Sequence, residues 1–374
     1  MKIGLVCPYN IAKGGGVQEI VRAQQAALIR RGHDAYIITP RPRADVSPEP
    51  KMIFIGTATD FNSPLHTTVQ LSAGDNEAID EMLEREQFDI LHFHEPWVPM
   101  LSLQILNRSQ TVNVATFHAK LPESRMTRAM TKVIAPYTKS VLRYIHEFTA
   151  VSDAAAEYLC SQTDKPVAII PIGMDLSLFK PPRSFHDKRA HKTILYVGRL
   201  EQRKGVSWLL HAFALLQKDR PEVSLVIAGD GPDRSKLEML AGDLELENIR
   251  FLGYVSEEEK VKQFKSANLF CAPALYGESF GIVLLEAMAT GLVTVAGDNP
   301  GYAGVMQGFG AISLVDPKHS AEFARRLDLL LHETELRKLW RTWAMNEMPQ
   351  YDNEVIIGQY EEIYDHALRG FAKR

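Results

Sequence analysis

Short apolar runs alternate with helical patterns along nearly the whole of the 374 residues, and that alternation restricts the chain to parallel sheets flanked by helices. In the first half the runs are Ile3–Cys7, Ala35–Thr39, Ile53–Ile55, Ile90–His94, Val112–Phe117, Phe148–Val151 and Val167–Ile170. A polar, proline-bearing stretch from Lys180 to His191 then reads as a linker. The pattern restarts at Thr193–Val197 and continues through Ser224–Ala228, Ile249–Leu252, Leu269–Ala272, Val293–Ala296 and Ala311–Leu314. Helical patterns at Glu335–Ala344 and Glu354–Arg369 flank the breaker Met348-Pro349-Gln350. The length exceeds one ordinary core. The expectation is an α/β protein of two doubly wound, Rossmann-like parallel-sheet domains facing each other across a cleft. The expected boundaries are 1–180, a linker at 181–191, and 192–348. Ligands in such sheets gather at the carboxyl ends of strands, so chemistry is sought in the loops after Cys7, His94, Phe117, Val197, Ala228 and Ala272.

Composition removes several classes of function. A chain 45% apolar and 24% charged is that of a soluble globular protein, and a net charge of −4 argues against nucleic acid as the main partner. Three widely spaced cysteines suit a reducing cytoplasm, with Cys7 and Cys271 read as buried thiols. Met1–Leu5 enters a strand without a secretory apolar region, and no stretch has the roughly 18 apolar residues of a spanning helix. Membrane contact is therefore expected to be peripheral.

The most informative local pattern is Glu278-Ser-Phe-Gly-Ile-Val-Leu-Leu-Glu286, two carboxylates separated by seven residues. The first falls in a loop and the second inside the helix that follows, a layout in which one carboxylate can reach a sugar while the other grips a ribose. The backbone N–H groups of Ser279, Phe280 and Gly281 open that helix, where a phosphate settles. After the second half's first strand, Val197-Gly-Arg-Leu-Glu-Gln-Arg-Lys-Gly205 sets Arg199 and Lys204 past the strand's carboxyl end, with Arg203 expected to be exposed. Fixed cations there stabilise a departing diphosphate without a metal, and no Asp-x-Asp pair occurs anywhere in the chain. Gly14-Gly15-Gly16 lets backbone approach a ligand at a helix start, but fits neither a dinucleotide fingerprint nor a Walker loop.

Ala115-Thr-Phe-His118 ends a strand and directs His118 toward the cleft as a partner for a sugar hydroxyl. His92 and His94 share a strand face, yet no third ligand with metal-binding spacing accompanies them. Backbone near Tyr254 and Val255 is a candidate reader of a nucleobase edge. Lys120–Arg143 carries six positive charges against Glu123 with apolar residues interleaved, a candidate surface for anionic lipid. A nicotinamide dehydrogenase is the rival from another class; it lacks its glycine fingerprint and has no use for the spaced glutamates. A non-catalytic sugar-nucleotide binder is a second rival, opposed by the complete set Arg199, Lys204, Glu278 and Glu286.

The segments Glu278–Gly291, Val197–Gly205, Ile170–Asp175 and Gly14–Gln18 together resemble the retaining glycosyltransferases of family 4, which have a GT-B fold. The opening Gly4–Tyr9 with Gly15–Gln18, His94-Glu-Pro96 and Ala115–His118 is most similar to the phosphatidylinositol α-mannosyltransferases, which use GDP-mannose at the cytoplasmic membrane face. The resemblance implies that Gly15 and Gly16 approach the diphosphate and acceptor, that Arg199 and Lys204 bind the diphosphate, and that Glu278 holds the donor sugar. It places Phe280 and Gly281 as backbone contacts, Glu286 on the ribose and His118 beside the reacting sugar. It also implies that residues 354–374 pack back on the first domain, that no cofactor beyond the sugar nucleotide is needed, and that the acceptor is a hydroxyl, an inositol phospholipid in that subfamily. UDP- or ADP-sugars and other acceptors are the alternatives within the family. One departure stands out: Thr57–Gly74, read as a loop, has no Lys or Arg where membrane-active relatives carry a basic cluster.

Overall fold

The computed structural model describes residues 1–13, 15–42, 49–62, 68–120, 135–182, 185 and 191–372, with backbone alone at 60–62 and 68–71. The chain forms two compact units, Met1–Met174 with Tyr351–Arg374, and Asp175–Gln350.

The first unit is built on eight strands: β1 Lys2–Val6, β2 Asp34–Arg41, β3 Met52–Asn62, β4 Thr68–Ala73, β5 Ile90–His94, β6 Val112–Phe117, β7 Glu147–Ala150 and β8 Val167–Ile169. Their order is β4-β3-β2-β1-β5-β6-β7-β8, and every pair is parallel except β3–β4. The central strands are apolar on both faces because helices cover both, as a parallel sheet requires. β1, β5 and β6 are almost wholly buried. The segment expected to be the loop Thr57–Gly74 is instead mostly an antiparallel ribbon, with Thr57 paired to Ala73.

The chain's last helix, Asn353–Phe371, belongs to this unit. Asp352 caps it by accepting from Glu354 N at 2.8 Å, removing one orphan N–H of the first turn. Ile356, Ile357, Tyr360, Tyr364 and Ala367, spaced for one helix face, join the core formed by Ile3, Leu5, Val114 and their neighbours. Outside that face, Glu361 takes Arg31 Nη2 at 2.5 Å and His33 Nε2 at 2.8 Å.

The second unit carries β9 Thr193–Val197, β10 Ser224–Ala228, β11 Ile249–Gly253, β12 Leu269–Ala272, β13 Thr294–Gly297 and β14 Leu314–Val315, all parallel in the order β11-β10-β9-β12-β13-β14. Residues expected as a strand at Ala311–Leu314 are mostly the 3-10 turn Gly308–Ser313. That turn is held from the helix Thr334–Glu347, where Trp340 Nε1 donates to Ser313 Oγ at 2.8 Å. The same helix buries Arg337, which donates to the carbonyls of Leu330 at 2.6 Å and Asn268 at 2.8 Å. Arg341 stacks over Phe185 at 3.9 Å.

In both sheets the chain reverses direction beside its first strand. β1 lies between β2 and β5, and β9 between β10 and β12. Such a reversal splays the flanking loops apart and opens a crevice at the strands' carboxyl ends.

Candidate active site

In the second unit the loops after β9 and β12 leave neighbouring strands, so residues some 75 positions apart meet. Glu278 is the meeting point. Its Oε1 accepts from Lys204 Nζ at 2.7 Å and from Arg203 Nη1 at 2.6 Å. Arg203 also reaches Glu201 Oε1 at 2.7 Å, and Glu201 Oε2 lies 3.7 Å from Arg199 Nε. Arg203 is thus a buttress rather than the exposed side chain expected from its place in a basic turn. Burial works against its charge, but Glu278 and Glu201 hold the guanidinium above the usual arginine range. Arg199 differs, with 60% of its side chain exposed.

Backbone geometry sets these positions. Gly205 follows Lys204 at φ +71°, and a Cβ there would lie 2.0 Å from the Pro273 carbonyl oxygen, so only glycine lets the two loops touch. Gly281, at φ +118°, caps the helix Ile282–Ala289 with the Tyr302 ring against it. Phe280 is buried and Ser279 half-buried just before that helix start. Tyr302 is fully enclosed, and burial, reinforced by the Glu278 carboxylate, drives its hydroxyl well above the usual phenol range.

Glu286 sits in the second turn of that helix, buried, and accepts from Lys260 Nζ at 2.7 Å. Lys260 comes from the helix Glu257–Ser266, whose N-cap Ser256 follows Val255 directly and accepts from Glu259 N at 3.2 Å. Burial opposes the charge on Lys260, yet Glu286 and Glu257 keep it above the ordinary lysine range. Val255 is half-buried beside Tyr254, which is 87% exposed. Arg199, Lys204, Glu278, Ser279, Phe280 and Gly281 therefore lie on two adjacent loops. Glu286 is held by Lys260, to which no sequence motif points, from the helix that begins just after Val255.

In the first unit, Gly15 caps and Gly16 starts the helix Gly16–Arg30. A Cβ at Gly16 would meet nothing within 4 Å among the described residues. Packing inside the unit therefore does not require glycine there. His118 is buried at the end of β6, and its backbone N–H donates to Glu95 Oε1 at 2.5 Å, as does Ala119 N at 2.6 Å. Glu95 itself is non-glycine backbone at φ +50°, a strained conformation of the kind that clusters at functional sites. Burial raises its carboxyl to about 7 despite those two N–H donors.

The rings of His92, His94 and His118 stack in sequence, with centroids 4.6 and 5.2 Å apart. Burial pushes His92 and His118 down to about 3. Among the described residues no group of three or more His, Cys, Asp or Glu side chains is arranged to hold a metal ion. Cys7 is buried and pushed up to about 12, Cys271 is buried and Cys160 exposed.

The basic stretch Lys120–Arg143 falls largely outside the described residues. Within them, Lys120 Nζ lies 3.5 Å from Glu157, while Lys139 and Arg143 are exposed around the helical residues 135–142. No helix of the described residues is long and apolar enough to cross a membrane.

A family model for glycosyl transferases group 1 matches residues 182–346, and one for glycosyltransferase family 4 matches residues 14–178. A phosphatidyl-myo-inositol mannosyltransferase of Mycobacterium leprae is 33% identical over 369 residues, covering 98% of this chain and 96% of that protein. The chain belongs to glycosyltransferase family 4. A protein of the same description from Mycolicibacterium smegmatis is 32% identical over 98% of this chain and 94% of its own. Two solved structures share the fold. Anabaena HepE in complex with UDP has a TM-score of 0.78 at 18% identity, covering 98% of this chain and all of that one. A sucrose-phosphate synthase from Thermosynechococcus elongatus has a TM-score of 0.76 at 21% identity, with 99% of both chains covered. This family 4 transferase has the GT-B architecture of two parallel-sheet α/β units, and it is a hexosyltransferase whose donor is a nucleotide sugar.

Proposed function

We propose that this transferase moves mannose from GDP-mannose, with retention at the anomeric carbon, onto a hydroxyl of phosphatidylinositol at the cytoplasmic face of a membrane. The observation that carries this reading is the near-full-length match, at about one residue in three, to two proteins described as phosphatidyl-myo-inositol mannosyltransferases. The Glu278 cluster supports the chemical part. Its two cations meet on one oxygen, Oε1, and on this reading Oε2 is the oxygen that takes the sugar hydroxyls. Arg199 and Lys204 take the diphosphate, with the N–H groups of Ser279, Phe280 and Gly281 beside it. Glu286 binds the ribose, and backbone at Val255 reads the base. Gly15 and Gly16 admit the diphosphate and acceptor, and His118 gives a hydrogen bond to the reacting sugar.

The departing β-phosphate oxygen takes the acceptor proton on the same face that the acceptor attacks. The carbon–oxygen bond to the diphosphate breaks as the bond to the acceptor forms, and the cations carry the charge left on the diphosphate. No protein nucleophile is required. Peripheral attachment through the basic stretch Lys120–Arg143 completes the reading.

A second reading has one observation behind it: an alpha-monoglucosyldiacylglycerol synthase of Streptococcus pneumoniae is 25% identical over 80% of this chain. The test supplies the purified chain with GDP-mannose, UDP-glucose or ADP-glucose and with vesicles containing phosphatidylinositol or diacylglycerol. An α-linked mannosyl phosphatidylinositol is expected. Transfer from UDP-glucose to diacylglycerol, with none from GDP-mannose, would replace the first reading by the second. Co-sedimentation with acidic but not neutral vesicles is expected, and equal, negligible binding to both removes the membrane part.

A further inference from the structure

Of the three stacked histidines, the transfer reading uses His118 alone, and hydrogen-bond bookkeeping assigns work to the others. Thr149 Oγ1 donates to the Ala115 carbonyl at 3.1 Å, so it accepts from Thr116 Oγ1 at 2.6 Å. That spends the only proton of Thr116, so His92 Nε2 donates to Thr116 at 2.6 Å. His92 Nδ1 is then an acceptor for Tyr364 O–H at 2.6 Å and for Gln24 Nε2 at 3.2 Å. The Gln24 amide therefore turns its nitrogen inward, and its Oε1 is buried without a partner among the described residues.

His94 Nδ1 and His118 Nε2 stand 2.9 Å apart and share one proton, while His94 Nε2 and His118 Nδ1 are buried without partners among the described residues. Two arrangements are possible for this neutral pair. If His118 donates, the unmatched N–H is stranded at His94 Nε2. If His94 donates, the unmatched N–H sits on His118 Nδ1. An orphaned buried N–H is costly, and of the two only His118 lines the small adjoining cavity beside Gln24, Ile356 and Tyr360. There an incoming oxygen satisfies it.

We propose that His94 is a positioning residue: it donates from Nδ1 to His118 Nε2, holds His118 as the Nδ1–H tautomer, and so makes the cavity a subsite that donates one hydrogen bond to a sugar or polyol hydroxyl and accepts one at Gln24 Oε1. The subsite rests on the reading that His118 faces sugar; the tautomer does not. His94→Phe keeps the stacked ring but loses the donor, whereas His94→Asn keeps an N–H near the place of Nδ1.

The test is long-range proton–nitrogen NMR on the ¹⁵N-histidine-labelled chain, with transfer kinetics on the same variants. His118 is expected to show a protonated Nδ1 and a bare Nε2 in the native chain and in His94→Asn, but not in His94→Phe. The Phe variant should lose about 10–100-fold in kcat, the range seen when a partner that orients a ligating side chain is removed, with donor KM nearly unchanged and most of kcat restored by Asn. A native His118 protonated on Nε2 overturns the proposal, as does equal loss in both variants with the tautomer unchanged. Should His94→Phe not fold, the native and Asn spectra decide. Normal transfer by His118→Gln refutes the sugar-facing role and with it the subsite, separately from the spectra.

Discussion

Arg203 offers the sharpest test of how the donor-side cluster works. Glu278 Oε1 is bound by Arg203 at 2.6 Å and Lys204 at 2.7 Å, and the same guanidinium ties Glu201 at 2.7 Å. At an effective dielectric of about 20, a unit pair at that distance attracts by roughly 6 kcal/mol before desolvation. Measured net values for hydrogen bonds to charged groups are about 1.5–3 kcal/mol. The lower range applies here because Lys204 still holds Glu278 after Arg203 is removed. Arg203→Gln should therefore cost about 1.5–3 kcal/mol of transition-state stabilisation, or roughly 10–150-fold in kcat/KM. The loss should fall on the sugar. Isothermal titration should show binding of the nucleoside diphosphate changed by less than about threefold, since Arg199 and Lys204 remain, while turnover of the nucleotide sugar drops. Arg203→Lys should recover part of the loss, because one ammonium cannot bridge both carboxylates as the planar fork does. Unimpaired turnover in Arg203→Gln, or equal loss of diphosphate and sugar-nucleotide binding, would refute the idea that Arg203 acts through Glu278.

Lys204→Ala should lower turnover by two or more orders of magnitude with the melting temperature little changed, and near-normal turnover would remove its diphosphate role. Gly205→Ala places a Cβ 2.0 Å from the Pro273 carbonyl in left-handed backbone, so thermal unfolding should reveal a loss of about 1–3 kcal/mol; an unchanged midpoint contradicts the packing. Glu95 titrates near 7 in the fold, against 4.5 for an unperturbed glutamate. Its contribution is therefore fully present below pH 4.5 and declines as pH rises through about 7, an interval worth at most about 3 kcal/mol. Glu95→Gln keeps an acceptor for the N–H groups of His118 and Ala119 without the buried charge. Its denaturant midpoint should gain on the native chain between about pH 5 and about pH 8, and parallel curves for the two chains would show that Glu95 is not the titrating group.

Strands were the easiest part to read, because a buried parallel strand announces itself as an apolar run whatever lies beside it. Ile90–His94, Val112–Phe117, Thr193–Val197, Ser224–Ala228 and Leu269–Ala272 keep their expected limits. The ribbon at β3–β4 departs from the expected loop although Val69, Leu71 and Ala73 alternate with Thr68, Gln70 and Ser72, a period-2 signal that the polarity of the segment masks. The strand expected at Ala311–Leu314 failed for a tertiary reason. Gly310 lies so close to Trp343 that a Cβ would approach its ring to 2.2 Å, and Trp340 holds Ser313 from the same helix, which shapes the backbone into a turn that no local propensity encodes. Glu278 and Glu286 were legible because their spacing straddles a helix start. Their partners were not, since Arg203 finds Glu278 75 residues away and Lys260 reaches Glu286 from another helix.

That difference in legibility follows from how charge is handled in the second unit. Each carboxylate assigned to the donor is already matched by a buried or half-buried cation, Glu278 by Lys204 and Arg203, and Glu286 by Lys260. Without those cations the enclosed Glu286 would carry an uncompensated buried charge, a cost of several kcal/mol. Arg199 is placed otherwise, mostly exposed and 3.7 Å from Glu201. On the proposed reading the cations divide the work. Those inside hold the acids in the geometry the sugar and ribose need, and Arg199 meets the incoming diphosphate, with Lys204 shared between Glu278 and the phosphate oxygens. The local cluster has three cations, Arg199, Arg203 and Lys204, against two carboxylates, Glu201 and Glu278. It therefore carries one positive charge in excess before any ligand binds. That surplus draws in an anion, and it grows more favourable as negative charge gathers on the departing diphosphate, which is the condition for binding energy to lower the barrier rather than only the KM.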